Sequence, residues 1–576
     1  MKNSYPRPQF KRQNWINLNG QWQFAFDKDD CGIEDKWYQL DHLPNAQSIE
    51  VPFCVQSELS GIEEKTHCNV SWYKINFQVE YSSDQRIILH FGAVDYLSDI
   101  YINGEHVKQH QGGHISFEID ITNHIHEGDN SLHVRVHDDM YDIEIPRGKQ
   151  YWKEESESIF YTRTSGIWQS VWLEMVPKHY IQRVKFIPDI LSNSIKVGFY
   201  LNKKCQANIQ TEIRFGEDLI VQESQNIDED YYETVYFLGK ANDQGTKRFW
   251  TPEEPNLYDV RFTLETSSGK DIVDTYFGMR KISIEKGIIM LNHRPYFMRL
   301  VLDQGYYPKG LMTSPDDDAL IKDIELTKAM GFNGVRKHQK IEEERYLYYA
   351  DKMGLLVWEE MPSAYKFSSK MMHNVSDEWS RAIDRDYNHP SIVAWVPINE
   401  SWGVPNLISN KREVHYLESL YHLTKAKDDT RLVVSNDGWE HGTTDLLTIH
   451  DYESHYQTLK KRYEDVETII NSIPGNHILY NAGFHYQNEP ILVTEFGGIS
   501  YQKGDQKGWG YSNATNDEDF AKRLKDVFLP LYESPHIQGF CYTQLTDIEQ
   551  EINGLLTFNR QPKIPIDLIQ KIVKNQ

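Results

Sequence analysis

The sequence is poor in cysteine, in positive charge and in long apolar runs, and each shortage removes a class of protein. Only 5 of the 576 residues are cysteine. Cys31, Cys54, Cys68, Cys205 and Cys541 are scattered, with no Cys-x-x-Cys pair, so neither a disulfide framework nor a cysteine-based zinc site is indicated; they read as reduced thiols. No apolar stretch comes near the ~18 residues that suggest a spanning helix, and the opening MKNSYPRPQFKRQNWINLNG has no apolar signal-peptide core. The expectation is a soluble, cytoplasmic protein with no membrane partner. With 61 Lys+Arg against 85 Asp+Glu, the formal net charge is −24, a field that repels polyphosphate and argues against nucleic acid as a partner. HExxH, GxSxG, GxxxxGK[ST] and GxGxxG are all missing, so metalloprotease, serine-hydrolase and nucleotide-binding readings lack their usual warrant.

Aromatic residues are plentiful, with 14 Trp, 35 Tyr and 24 Phe. Such rings stack on sugar faces and fill sandwich cores equally well, so only their placement can decide between the two. The texture of the chain changes near residue 285. Before it, short runs rich in Val, Ile, Tyr and Phe alternate with polar residues, as in NVSWYKINFQVEY and NSLHVRVHDD, and Asn103-Gly104 between alternating flanks predicts a hairpin. This half is all-β and divides into residues 1–178 and residues 179–284, the second being the size of an immunoglobulin-like β-sandwich. His106, His110 and His114 fall around that hairpin, where their spacing cannot line up metal ligands as it would on a helix, so they read as solvated loop residues.

From residue 285 to 576 strand and helix alternate. The strands are YFMRLVLDQG, FNGVRKH, LLVWEEMP, IVAWVPINE, LVVSNDG, LLTIHDYES, ILVTEFGG and IQGFCYTQLTD, with a helical segment after all but the fifth. Eight such units predict a (β/α)8 TIM barrel, whose active site lies at the C-terminal ends of the strands; a doubly wound sheet is the structural alternative. The strand ends carry Asp303, His338, Glu359/Glu360, Asn399/Glu400, Asn436/Asp437, Asp451/Tyr452, Glu495 and Gln544/Asp547. Carboxylates, amides and an imidazole converging on one mouth suit a polyhydroxylated ligand. Glu400 ends strand four and Glu495 ends strand seven, so the two can face each other. Glycosidic hydrolysis with retention needs two carboxyls ~5–5.5 Å apart; Glu400 fits the acid/base and Glu495 the nucleophile, unless both are structural carboxylates bonded to loop amides.

At these residues the chain resembles glycoside hydrolase family 2, the family of bacterial β-galactosidase and β-glucuronidase. WINLNGQWQF, FGAVDYLSDIYINGEHV and GIWQSVWLE resemble its sugar-binding jelly roll, TPEEPNLYDV and YFGMRKI its middle sandwich, and KAMGFNGVRKH, DKMGLLVWEEMP, HPSIVAWVPINES and ILVTEFGG its barrel. The resemblance implies three modules: a jelly-roll sandwich, an immunoglobulin-like sandwich and a catalytic TIM barrel. It also implies a retaining exo-glycosidase acting through a covalent glycosyl-enzyme, with Glu400 as acid/base, Glu495 as nucleophile and Asn399 holding the 2-hydroxyl. A homo-oligomer is expected by the same analogy.

The sugar carries over less well. The Asn-x-Lys that grips the carboxylate in β-glucuronidases is missing from TQLTDIEQEINGLLTFNRQPK, and WEEMPSA lacks the Glu-x-His that holds magnesium in large β-galactosidases. The expectation is therefore an enzyme without metal or other cofactor, acting on small β-galactosides. Arabinosides, uronides (β-glucuronides or galacturonides) and a catalytically silent carbohydrate-binding protein are the alternatives. Arg336 and His338 orient Glu495 or touch the sugar, or form a structural pair. Asp303 holds hydroxyls or caps its loop, and Asp451 and Tyr452 place a carboxylate and a phenol beside the nucleophile. Glu360 supports Glu400 or binds a hydroxyl, and Gln544 completes the candidate set.

Overall fold

The computed structural model describes residues 4–239, 244–503 and 507–576. In the N-terminal module six antiparallel strands run in the order Gln47–Val51, Gly20–Phe26, Val70–Val79, Gly128–His137, Leu97–Ile102 and Glu105–Gln111. They face a four-stranded sheet ordered Trp15–Asn17, Val171–Pro177, Gln85–Phe91 and Phe117–Asp120. Alternate residues of both sheets, among them Trp22, Phe24, Leu89, Phe91 and Val134, fill the space between them. The hairpin forms as its sequence dictates: Ile102 pairs with Glu105, and Asn103 and Gly104 adopt φ of 51° and 82°, both left-handed as a type I′ turn requires.

The reading of His110 and His114 as solvated is corrected by the structure, while His106 is exposed. His106 and His110 lie on the strand Glu105–Gln111, and His110 is buried with its ring stacked 3.8 Å from Phe117. His114 is also buried, its Nε2 3.2 Å from the carbonyl of Pro146, and burial lowers the imidazoles of His110 and His114 to about 3 and about 4, leaving both neutral.

The middle module packs a three-stranded sheet (Ile181–Asp189, Ser194–Leu201, Tyr231–Phe237) on a four-stranded one (Asp218–Ile227, Ala207–Phe215, Tyr258–Thr266, Gly269–Phe277) around Ile195, Phe199 and Phe262. Arg12 joins the two β modules, its guanidinium 2.9 Å from Asp271 and 2.7 Å from Glu174.

The C-terminal module is an eight-stranded parallel sheet curled into a TIM barrel. Its strands are β1 (Met298–Asp303), β2 (Gly334–Lys337), β3 (Leu356–Glu360), β4 (Ile392–Val396), β5 (Leu432–Val433), β6 (Leu447–Asp451), β7 (Ile491–Phe496) and β8 (Ile537–Tyr542). The ladder runs β5-β4-β3-β2-β1-β8-β7-β6, so first and last strands are neighbours, Leu300 opposite Cys541. The helices are α1 (Asp317–Ala329), α2 (Glu344–Met353), α3 (Ser369–Asp386), α4 (Lys411–Lys427), the short α5 (Tyr456–Arg462) and α6 (Val466–Ile470), α7 (Asp517–Glu533) and α8 (Ile566–Val573). No described helix follows β5, as its sequence leads one to expect. Met298, Leu300, Leu302, Leu356 and Trp358 fill the barrel interior, while Val301, Val335 and Val357 pack outward on the helices. This inside–outside alternation decides which charged residues reach the mouth.

Candidate active site

Strand parity continues past the apolar residues to the strand ends. On β2, Arg336 follows the inward positions and is fully buried at the top of the barrel. Its Nε donates to Glu360 Oε2 at 2.6 Å, its Nη2 to Asn399 Oδ1 at 2.6 Å and its Nη1 to Glu495 Oε1 at 3.0 Å, with Asp437 Oδ2 2.9 Å away. One guanidinium thus ties together the ends of β3, β4, β5 and β7. Burial opposes its charge, but Asp437, Glu360 and Glu495 outweigh that and hold its pKa well above the ordinary value.

Glu400 and Glu495 converge on His450. His450 Nδ1 donates to Glu400 Oε1 at 2.7 Å, and Nε2 lies 3.3 Å from Asp437 and 3.7 Å from Glu495 Oε1. One polar atom from each of Glu400, His450 and Glu495 falls within 4.8 Å of the others. Burial disfavours charge on His450, but Glu495 and Asp437 override it and lift the imidazole to about 10, so it is an imidazolium at neutral pH. Such a ring carries a proton on both nitrogens, donating from Nδ1 to Glu400 and from Nε2 to Asp437. Burial pushes the Glu400 carboxyl up, while the His450 hydrogen bond and charge outweigh it and bring it below the usual range.

Tyr452 donates to Glu495 Oε2 at 2.5 Å and lies flat on Tyr511, ring centroids 3.4 Å apart. Both oxygens of Glu495 are therefore held, one by Arg336 and one by the phenol. Glu400 and Ser401 both have left-handed backbone, φ 50° and 58°. That conformation is costly for residues with a Cβ, and it is held by Glu400 N–H on the Asp437 carbonyl at 2.9 Å and Ser401 N–H on Asn436 Oδ1 at 2.9 Å.

The structure brings Glu400, Glu495, Asn399, Arg336, Glu360 and Tyr452 into one cluster. His338 borders it, buried, with Nδ1 2.8 Å from Glu360 Oε1 but misaligned for a hydrogen bond; burial and the Arg336 charge keep this imidazole neutral. Burial, opposed by Arg336, raises Glu360 to about 7. Gln544 stands one layer back, accepting from Gln304 at 3.1 Å and donating to Asn553 at 2.8 Å. Asn553 in turn donates to Glu551, which also accepts from Tyr161 at 2.6 Å.

Asp303 takes the loop-capping alternative, and the expectation for Asp451 is corrected. Asp303 points out of the barrel, 2.8 Å from Lys337 Nζ and accepting from Gly305 N–H at 2.9 Å. Asp451 also points outward, bonded to Arg462 and, at 2.7 Å, to Tyr463. Each is one residue past an inward position, Leu302 and His450 respectively, so strand parity sends it to the helix layer.

Sequence reasoning missed His450, although it immediately precedes Asp451 and Tyr452. It placed Asp437 on the ring of strand ends without giving it a role. It also missed Lys149, which comes from the N-terminal module. That loop is seated on the barrel: the N–H groups of Arg147 and Gly148 both donate to the Ser363 carbonyl at 3.1 Å, and the Tyr365 hydroxyl donates to the Gly148 carbonyl. Gly148 has φ +59°, and a Cβ there would lie 2.5 Å from the Gln339 carbonyl, so this close approach needs glycine. Lys149 is half-buried and makes no ion pair among the described residues. Its charge acts on Glu400, His338 and Glu551 together, so the ammonium lies within electrostatic reach of all three.

Comparison with known proteins agrees with this architecture. Residues 16–177 match the sugar binding domain of Glycosyl hydrolases family 2, residues 179–280 a second domain of that family and residues 282–507 its TIM barrel domain. The chain is 24% identical to β-glucuronidase of Rattus norvegicus over 83% of its own length and 77% of that protein. It is 28% identical to β-galactosidase of Thermoanaerobacter pseudethanolicus over 97% and 76%. Among solved structures, a β-glucuronidase from an uncultured Clostridium sp. superposes with a TM-score of 0.78 at 21% identity over 100% of both chains. The β-glucuronidase of Ruminococcus gnavus in complex with D-glucuronic acid does so with a TM-score of 0.80 at 18% identity over 99% of each. With its three modules in the family's order and a paired-glutamate mouth on the barrel, the chain belongs to glycoside hydrolase family 2 and is a glycosidase.

Proposed function

We propose that the enzyme is a retaining exo-glycosidase that removes a terminal β-linked uronic acid, with Glu495 as nucleophile and Glu400 as acid/base. The observation that carries the retaining mechanism is the approach of the two carboxylates, whose nearest oxygens lie within 4.8 Å. That leaves room for a sugar carbon between them and none for an intervening water, as in-line covalent displacement requires. Glu495 attacks the anomeric carbon as Glu400 protonates the departing oxygen; water activated by Glu400 then cleaves the glycosyl ester.

His450 supplies the proton logic. In the free enzyme its Nδ1–H points at Glu400 Oε1. The charge of Glu495 is the strongest support for the imidazolium. As Glu495 becomes a neutral ester that support disappears, and the proton moves the short distance to Glu400 when the leaving group needs it. Tyr452 and Arg336 hold Glu495 in place meanwhile.

Two observations favour a uronide over the galactoside expected from sequence. β-Glucuronidases predominate among the relatives and similar structures, and Lys149 presents an unpaired ammonium to the mouth. The barrel carries no Asn-x-Lys grip for a carboxylate, whereas this cation arrives from the other module. Exo action is supported by the loops that close one side of the mouth, where Gln550 Nε2 bonds the carbonyls of Ser158 and Phe160 at 2.7 and 2.9 Å.

The test is hydrolysis of nitrophenyl β-glucuronide, galacturonide, galactoside and arabinosides by the wild type, Glu495→Gln and Lys149→Met. A uronide should be cleaved best, with no turnover by Glu495→Gln and a loss of about 100-fold or more in kcat/KM for Lys149→Met, the scale of a lost charge-assisted contact. A galactoside cleaved best, with Lys149→Met unaffected, would overturn the uronide reading and leave the retaining mechanism standing.

A further inference from the structure

Beside the catalytic mouth lies an apolar cleft of about 420 Å³ lined by Tyr141, Ile143, Trp152, Phe160, Tyr365 and Trp402. The first four belong to the N-terminal module and the last two to the barrel. Phe160 meets Trp152, Tyr365 and Trp402 edge-on, at centroid distances of 5.1, 5.7 and 6.3 Å, and Tyr365 meets Trp402 edge-on at 5.1 Å. Rings packed edge to face leave faces uncovered by one another. Tyr141 and Ile143 are 66% and 41% exposed, a costly display of apolar surface on one loop.

Three short links in the chain tie the lining of the cleft to the site. Trp402 follows Glu400 by two residues. Phe160 precedes Tyr161, whose hydroxyl bonds Glu551. Tyr365 bonds the carbonyl of Gly148, next to Lys149. Glu400 is the group that protonates the departing oxygen, so whatever that oxygen carries extends toward Trp402.

We infer that this cleft is the leaving-group subsite and that it takes a flat, apolar aglycone of two or three fused rings, not a second sugar. The inference rests on the glycosidase reading and adds the other half of the substrate. The wall offers few hydrogen-bonding atoms, and the Tyr365 hydroxyl is already committed to Gly148. A sugar seated there would leave several hydroxyls desolvated and unpaired, at a cost an aromatic ring avoids. The volume suits such a group, and the ring faces of Trp152 and Trp402 offer it stacking surfaces.

The test compares 2-naphthyl and phenyl glycosides, whose phenols are nearly equal in acidity, on whichever glycone the enzyme cleaves. Wild type should prefer naphthyl by about 10-fold or more in kcat/KM, chiefly through KM, and Trp152→Ala or Tyr141→Ser should bring that ratio to about 1–2, as loss of uniform binding requires. Equal rates for the two aryl glycosides in the wild type, or a disaccharide of the same glycone preferred over both, would overturn the inference. Binding of 2-naphthyl thioglycoside to Glu495→Gln, followed by tryptophan fluorescence, reads the cleft without turnover. Quenching that is lost on adding Trp152→Ala supports the subsite even if the uronide assignment fails; no quenching with any glycone counts against it.

Discussion

Adjacent residues on the barrel strands live in opposite electrostatic worlds. Arg336 faces the mouth and Lys337 the helices; Glu360 faces in and Glu359 out; His450 faces in and Asp451 out. The outward layer is largely closed on itself: Lys337 sits 2.8 Å from Asp303 and 2.7 Å from Glu342, and Lys340 is 2.9 Å from Glu342. Burial and the neighbouring Asp386 keep Glu359 well above the carboxylate range. The inward layer uses the same residue types but keeps groups open to a ligand: Glu400 retains 19% side-chain exposure and Lys149 has no counter-ion among the described residues. The outward pairs fix the barrel, and the inward ones hold charge where a sugar will enter.

Substitutions on either side sharpen or break that contrast. The largest effect belongs to Glu495→Gln, which should lower kcat by about 10⁴-fold or more in steady-state assays while the melting temperature stays near that of the wild type. Next, Glu400→Ala should cost about 10²–10⁴-fold with poor leaving groups and much less with good ones. Added azide should restore turnover and give a β-glycosyl azide, identified by its NMR coupling; the α-azide would mean inversion and sink the assignment.

His450→Asn should cost about 10–100-fold, weighted toward poor leaving groups. Its stability effect has a defined sign. The folded-state imidazole sits at about 10 against an ordinary 6.5, so its contribution is complete below pH ~6.5 and is lost as pH rises toward about 10. The melting difference between wild type and His450→Asn should shrink across that window; a constant difference would mean that the imidazole is neutral. The smallest catalytic effect belongs to Asp303→Asn and Asp451→Asn. Each should cost about 1–3 kcal/mol of stability by denaturant titration and leave kcat/KM per folded molecule within about twofold. A large loss of kcat/KM would break the contrast between the two layers.

The eight barrel strands were legible in the sequence because each apolar run ends in a turn and all but the fifth precede a helical period. The paired glutamates were legible because a strand end fixes height on the barrel. Side was not legible. Parallel strands are buried on both faces and read as continuous apolar runs, so VLD, VRK and TIHD carry no alternation that separates inward from outward residues. Height without side is why Asp303 and Asp451 joined the candidates and His450 did not. Lys149 escaped for another reason: strand ends index only their own module, and IPRGKQYW, read locally, is a loop of a β domain.

Gly148 has one more consequence. A chain made from its N-terminus finishes this residue before any barrel strand exists. The rim that carries Lys149, Trp152 and Phe160 is therefore encoded and built apart from the carboxylates beneath it. Changes in the 141–160 loop can redirect which glycosides are accepted while the bond-breaking residues stay as they are, provided that position 148 keeps a residue with no side chain. The glycine is the joint between the two modules that each contribute part of one active site.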